Sequence, residues 1–300
     1  MNHLSWLEAA IIGLLQGVTE LFPVSSLGHS VLLPAWVGGH WHRDMDVSAP
    51  ESTYLAFIVA THVATAIALL LYFRRDWVRL IRGFFTSIAH RRMQTPDEKL
   101  IWRLIVGTIP VGLVGLLFEH WLRTNLGRPL PTAAFLAVNG LIILLVDAIV
   151  RRRGDVEPDY VDERVSGPES DARLANLTWG QTLLIGSSQI LALAPGISRS
   201  GAALCAGLLK GLKKEDAARF SFLLATPVIL AAGVLKLPDL FSPLGDGIRW
   251  QALLGAVLAG IGAYVAVAFF TRYVSKRSLR PFGFYCLVAG LGSLVWFLAR

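Results

Sequence analysis

Apolar residues run along this chain in blocks, each closed by a cluster of charge or broken by proline and glycine. The first block, 6–36, is interrupted by Gly13, Gly17, Pro23, Gly28 and Pro34. That pattern predicts a helix–break–helix hairpin that enters a membrane and returns. Non-helical backbone at that depth is tolerated only where protein or a water-filled cavity satisfies it. Three full spans are predicted next, at about 54–73, 100–118 (bent at Pro110) and 132–150, each apolar enough to cross a bilayer as a helix. Between them, 37–53 and 119–131 read as loops, and the basic, partly amphipathic 74–99 reads as lying along the membrane surface. The charged stretch 154–177, with Pro158, Gly167 and Pro168, reads as a linker. The plan then repeats: a broken hairpin at 178–211 and spans at about 216–235, 250–270 and 281–299.

A shift of 173 residues lays Gly13, Gln16, Ser25 and Gly28 on Gly186, Gln189, Ser198 and Gly201, while Pro23 and Pro195 miss this register by one. The fold class expected is therefore an all-α polytopic membrane protein of two repeats, 1–153 and 178–300, joined by the linker 154–177. Each repeat holds a re-entrant helical hairpin and three transmembrane helices. An odd number of crossings per repeat inverts the second against the first.

Composition agrees. Of 300 residues, 54% are hydrophobic and 16% charged, whereas soluble domains carry about a quarter charged. The net charge of +7 is explained by topology, so no nucleic-acid partner is expected. Placing 74–99, 151–177, 208–216 and 271–280 in the cytoplasm puts 19 of the 28 Lys and Arg there and 6 in the opposite loops. Trp6, Trp36, Trp102, Trp179 and Trp250 fall near span ends, as an aromatic belt would. The first residues do not read as a cleavable signal peptide, because Glu8 interrupts the apolar run. Two cysteines inside apolar segments predict neither a structural disulfide nor a zinc site.

The candidate chemistry sits at the hairpin breaks. Gln16 and Glu20 are four apart and share a helix face. A carboxylate that deep in an apolar stretch should be paired, metal-bound or functional. Ser25, Ser26 and His29 follow Pro23 at spacings that bring either hydroxyl near the imidazole on a helix, the minimum for an activated nucleophile. A structural alternative has the serines capping the return helix. Arg199 lies between Ser198 and Ser200, after Pro195-Gly196 and before Gly201. An arginine at depth needs an anion, and with two hydroxyls and amides freed by the break it forms a phosphate cradle. Its structural alternative is a pair with Glu20 that fastens the hairpins. Thr19 and Gln189 are expected to line the pocket, and His62, beside Thr61 and Thr65, to hydrogen-bond between helices.

These elements, Gln16-x-x-x-Glu20, Pro23-Val-Ser-Ser-Leu-Gly-His29 and Pro195-Gly-Ile-Ser-Arg-Ser-Gly201, resemble the motifs of the undecaprenyl-diphosphatase (bacitracin-resistance) family of bacterial inner-membrane lipid phosphatases. The stretch Ala218-Arg-Phe-Ser-Phe-Leu-Leu-Ala-Thr-Pro227 is similar too. The resemblance implies hydrolysis of undecaprenyl diphosphate to the monophosphate and phosphate. That reaction recycles the cell-wall lipid carrier and confers bacitracin resistance. It implies a multi-pass inner-membrane protein whose site opens to the periplasmic face. Glu20 and His29 match the catalytic carboxylate and imidazole, Ser26 a nucleophile or phosphate ligand, and Arg199 with Ser198 and Ser200 the diphosphate binder. Ser25, Gly196 and Gly201 complete the expected phosphate site.

Stimulation by Mg2+ or Ca2+ is also implied, with Glu20 and Gln16 the residues to meet the metal, and no organic cofactor. Gln16 stands where many members have Glu, Ala203 where they have Thr, and Leu27 where Thr is frequent, which weakens the metal expectation. Expected partners are undecaprenyl diphosphate and membrane lipid; the choice between monomer and homodimer stays open. The rival class is a transporter or flippase of a phosphorylated lipid or anion, since inverted repeats with broken helices are also a transporter plan.

Overall fold

The computed structural model describes residues 4–49, 52–153 and 168–299. Those residues hold helices and no strand. The first hairpin is α1 (Trp6–Leu21) and α2 (Ser26–Val37), followed by the short α3 (Gly39–Asp44). Then come α4 (Thr53–Tyr72), α5 (Arg74–His90), α6 (Pro96–Leu126), α7 (Pro129–Arg152) and α8 (Pro168–Ala175). The second hairpin is α9 (Trp179–Ser188), a 3-10 turn (Gln189–Leu193) and α10 (Arg199–Leu209). The chain ends with α11 (Lys214–Lys236), α12 (Arg249–Lys276) and α13 (Arg280–Leu298). Six of these, α4, α6, α7, α11 (continuing to Phe241), α12 and α13, are long and apolar enough to cross a membrane.

Local signals set the boundaries. Capping boxes start α1 (Ser5 with Glu8), α6 (Thr95 with Glu98) and α9 (Thr178 with Gln181), each satisfying two otherwise unpaired amides. Small residues then let helices pack backbone to backbone. A Cβ on Gly17 of α1 would lie 2.3 Å from the Ala259 carbonyl of α12. One on Gly186 of α9 would lie 2.0 Å from the Gly107 carbonyl of α6. Without a hydrophobic driving force between helices in lipid, such close approach is what van der Waals association requires.

Three expectations are corrected. The loop 119–131 is mostly helix, since α6 runs through Leu126. Arg123 is the reason: it pairs with Glu119 at 2.8 Å and donates to the Val47 and Ala49 carbonyls at 2.6 and 2.9 Å. The loop 37–53 contains α3 and buries Met45 and Val47. The linker at 154–177 lies outside the described residues from 154 to 167, and from 168 to 175 it is α8.

That helix docks through charge. Arg219 of α11, fully buried, reaches Asp76 of α5 at 2.9 Å and Asp171 of α8 at 2.6 Å. Arg79 of α5 joins Asp76, Asp97 and Asp171 at 2.7, 3.0 and 2.7 Å, and Arg173 of α8 pairs with Asp216 of α11. Asp171 and Arg173 are thus spent on α5 and α11, while Glu169 stays exposed; a count of charged residues reads all three as a solvated linker.

Candidate functional site

The two hairpins meet at their breaks. A Cβ on Gly28 would lie 3.0 Å from Gly196 Cα, and one on Gly201 3.1 Å from Pro23 Cβ. Gly196 has φ 109° and would press a side chain into the Thr132 carbonyl of α7 at 2.4 Å, so only glycine fits there. Ser25, a non-glycine residue at φ 66°, is held by its own hydroxyl, which accepts from the amides of Gly28 and Gly196, both at 3.2 Å. Asn139 of α7 stitches both breaks: its side chain donates to the Pro23 carbonyl at 2.9 Å and accepts from the Ser198 amide at 3.0 Å.

Ser25 and Ser198 cap α2 and α10, so two helix N-termini start side by side at the break. Each presents the positive end of its dipole and first-turn amides, a ready anion site.

Glu20 is the hub beside them, 8% exposed. Gln16 donates to its Oε2 at 2.9 Å, and the Ser26 hydroxyl donates to the same oxygen. Arg199 pairs with Oε1 and also donates to the Ala225 carbonyl of α11 at 3.1 Å. His62 of α4 brings Nε2 to 3.3 Å from Oε2. A charge at this depth is thus fully paired, as its burial demands.

Other residues fall elsewhere. His29 does not reach Glu20; its Nδ1 lies 2.7 Å from the Ser25 carbonyl and its Nε2 2.7 Å from Tyr285 Oη of α13. The expected approach of a Ser25 or Ser26 hydroxyl to this imidazole is not made: Ser25 Oγ accepts from the Gly28 and Gly196 amides, Ser26 Oγ donates to Glu20, and the imidazole beside the carboxylate is that of His62 from α4. Ser200 donates to the Glu20 carbonyl at 3.2 Å and lies 3.1 Å from Ser198, whose hydroxyl accepts from the Gly201 amide. These serines therefore fasten the breaks, and the Gly196 and Gly201 amides are spent on caps. Thr19 turns back to the Leu15 carbonyl at 2.7 Å, and Gln189 to the Gly186 carbonyl at 3.3 Å, so neither touches Glu20.

The residues present do not fit a protein-held Mg2+ or Ca2+. Ca2+ takes six to eight oxygens, and Mg2+ six, of which one or two are carboxylates left free to coordinate. Among the described residues no group of three His, Cys, Asp or Glu is placed for a metal. Glu20 already lies under a guanidinium, an amide, a hydroxyl and an imidazole, and the orphaned Gln16 Oε1 is a single neutral acceptor.

His62, Asn139 and Tyr285 were not read as site residues from sequence. An imidazole and an amide inside apolar spans were a usable signal for the first two; nothing local marks Tyr285. Beyond the polar centre, an apolar groove of about 490 Å³ runs between α6, α7 and the 3-10 turn, lined by Phe118, Phe135, Val138, Leu193 and Ile197.

The sequence model of the family described as "Bacitracin resistance protein BacA" matches residues 9–292. An "Undecaprenyl-diphosphatase" of Mycolicibacterium paratuberculosis is 58% identical over 99% of both chains. "Undecaprenyl-diphosphatase 1" of Frankia casuarinae is 49% identical over 99% of both, and "Undecaprenyl-diphosphatase 2" of Chromobacterium violaceum is 44% identical over 97% of this chain and 98% of its own.

Proposed function

Because the chain belongs to the bacitracin resistance protein BacA family, we propose that it hydrolyses undecaprenyl diphosphate to undecaprenyl phosphate and inorganic phosphate. The observation that carries this reading is the meeting of Glu20, Ser26 and Arg199 at the paired starts of α2 and α10. A nucleophile, its base and an anion site share one buried place.

The terminal phosphate enters between the two helix N-termini and takes one face of the Arg199 guanidinium. Ser26 attacks its phosphorus. The hydroxyl proton passes to Glu20, which already accepts it as a hydrogen bond, while the bond to the bridging oxygen breaks and undecaprenyl phosphate leaves. Water then attacks the phosphoserine phosphorus and gives its proton to His29 Nε2, while the bond to Ser26 Oγ breaks and that oxygen takes its proton back from Glu20, releasing inorganic phosphate. Arg199 and the first-turn amides stabilise the charge that grows on the phosphoryl oxygens. The isoprenoid chain stays among the spans, and Ile197, one residue before the Ser198 cap, lines the apolar groove. The Lys- and Arg-rich loops lie in the cytoplasm, and the break opens on the periplasmic face, as the resemblance to the inner-membrane lipid phosphatases implies.

Phosphate release by purified protein in detergent, wild type against Glu20→Gln and Ser26→Ala, tests the reading. Release by wild type that is lost in both variants supports it. No release by a folded wild type sinks it, and lipid transport in liposomes becomes the next assay.

His62 supplies a separate prediction. Removing the imidazole takes one charge-assisted partner from Glu20, so His62→Ala should lower kcat roughly 10- to 100-fold. His62→Gln, whose amide can donate to the same oxygen, should recover part of it. Steady-state rates on the three proteins check this. Equal kcat for wild type and His62→Ala would make the contact incidental.

A further inference from the structure

Resting on the phosphatase reading above, we propose that Tyr285 is the positioning residue for His29, fixing the tautomer and the direction of the imidazole from a helix of the other half of the chain.

The assignment follows from hydrogen-bond roles. His29 Nδ1 faces the Ser25 carbonyl at 2.7 Å, and a carbonyl only accepts, so Nδ1 carries the proton. In the neutral ring, Nε2 then presents a lone pair. The group in front of it is the Tyr285 hydroxyl at 2.7 Å, which must donate. The two rings also stack, with centroids 5.6 Å apart and planes 4° from parallel. One contact sets the tautomer, a second holds the free nitrogen, and the third fixes the ring plane.

Neither end of this arrangement is loose. The Ser25 carbonyl is aimed by a left-handed backbone, held by two amides on the Ser25 hydroxyl. Tyr285 sits on α13, whose partner α7 it packs along. The next residue, Cys286, is buried and lies 3.4 Å from Asn139 Nδ2, the same amide that stitches the breaks. His29 is 6% exposed, while Tyr285 is 47% exposed. The phenol thus covers a buried imidazole from the exposed side of α13, and substrate or water reaching Nε2 replaces the hydroxyl there. A neutral imidazole with a free Nε2 is the form that takes a proton from water.

Tyr285→Phe keeps the ring and the stack and removes only the hydroxyl. Loss of one buried hydrogen bond predicts a kcat about tenfold lower, with KM for undecaprenyl diphosphate unchanged because the phosphate contacts lie elsewhere. In a His29→Ala background, where there is no imidazole to orient, adding Tyr285→Phe should cost nothing more. Thermal unfolding in detergent confirms that each variant is folded. Independently, the 15N shifts of His29, assigned by the signal missing in His29→Ala, should report the Nδ1–H tautomer in wild type and a mixture in Tyr285→Phe.

Wild-type kcat in Tyr285→Phe overturns the inference. So does a rise in KM without a change in kcat, an undiminished loss in the His29→Ala background, or an unchanged tautomer. All of these leave the phosphatase reading standing. A wild type that releases no phosphate overturns that reading instead, whatever the tautomer shows.

Discussion

Arg199→Ala is expected to lower kcat/KM for undecaprenyl diphosphate by at least about 10²–10³-fold, the loss that follows removal of one preorganised donor to a developing oxyanion. The physical reason is placement. Arg199 opens α10, and its guanidinium spans the Glu20 carboxylate and the Ala225 carbonyl. It is fixed before substrate arrives and needs no reorganisation in the transition state. Arg199→Lys should rescue little, since a point charge cannot hold two acceptors and a phosphate in one plane.

The rival view is that the pair merely fastens two hairpins. Both views predict lower stability, because breaking a buried pair leaves Glu20 with an uncompensated charge, worth about 3–5 kcal/mol. They differ in turnover per folded molecule, measured as phosphate release normalised to the protein that remains monodisperse and unfolds cooperatively. Full turnover in the folded fraction of Arg199→Ala would leave the residue a fastener and remove it from the chemistry.

Arg219→Ala should produce the second large effect, on stability alone. The side chain is fully buried and neutralises Asp76 and Asp171 at once, with Ser170 Oγ at 3.0 Å from Nη1. Its removal leaves Asp76 and Asp171, both buried, with the half-exposed Arg79 as their remaining cation. The expected cost is again about 3–5 kcal/mol, read as a lower thermal midpoint in detergent and earlier proteolysis in 168–175. Phosphate release per folded molecule should stay at the wild-type level, since none of these residues touches Glu20. Replacing all three charges, Arg219→Met with Asp76→Asn and Asp171→Asn, should return most of the loss. If Arg219→Ala unfolds no earlier than wild type, the cluster contributes nothing that water does not.

The spans and hairpins were legible because apolar length and Pro/Gly breaks are local properties of the chain. Glu20 and Arg199 were legible for a related reason: a charge inside an apolar stretch needs an explanation wherever it sits. What stayed hidden depends on which helices touch. His62 reaches Glu20 from α4 and Tyr285 reaches His29 from α13, 256 residues away, and no spacing rule links them. Spacing on a helix pairs His29 with the Ser25 and Ser26 hydroxyls; the turn at Ser25 instead gives Ser26 to Glu20 and the imidazole to Tyr285 of another helix. The segment 168–176 misled in the opposite way. Its charges look solvated until Arg219, itself hidden in α11, supplies the partner that lets α8 dock.

The separation of Glu20 from Arg199, 179 residues, also sets a schedule for biogenesis. At ribosomal speeds the guanidinium emerges roughly 10–35 s after the carboxylate it neutralises. Through that interval the first hairpin holds an acid that the bilayer resists. His62 is synthesised far sooner than Arg199, so during translation it is the earlier of these two partners to reach Glu20. A contact that tunes the mature site is in this way also a caretaker for the half-made chain.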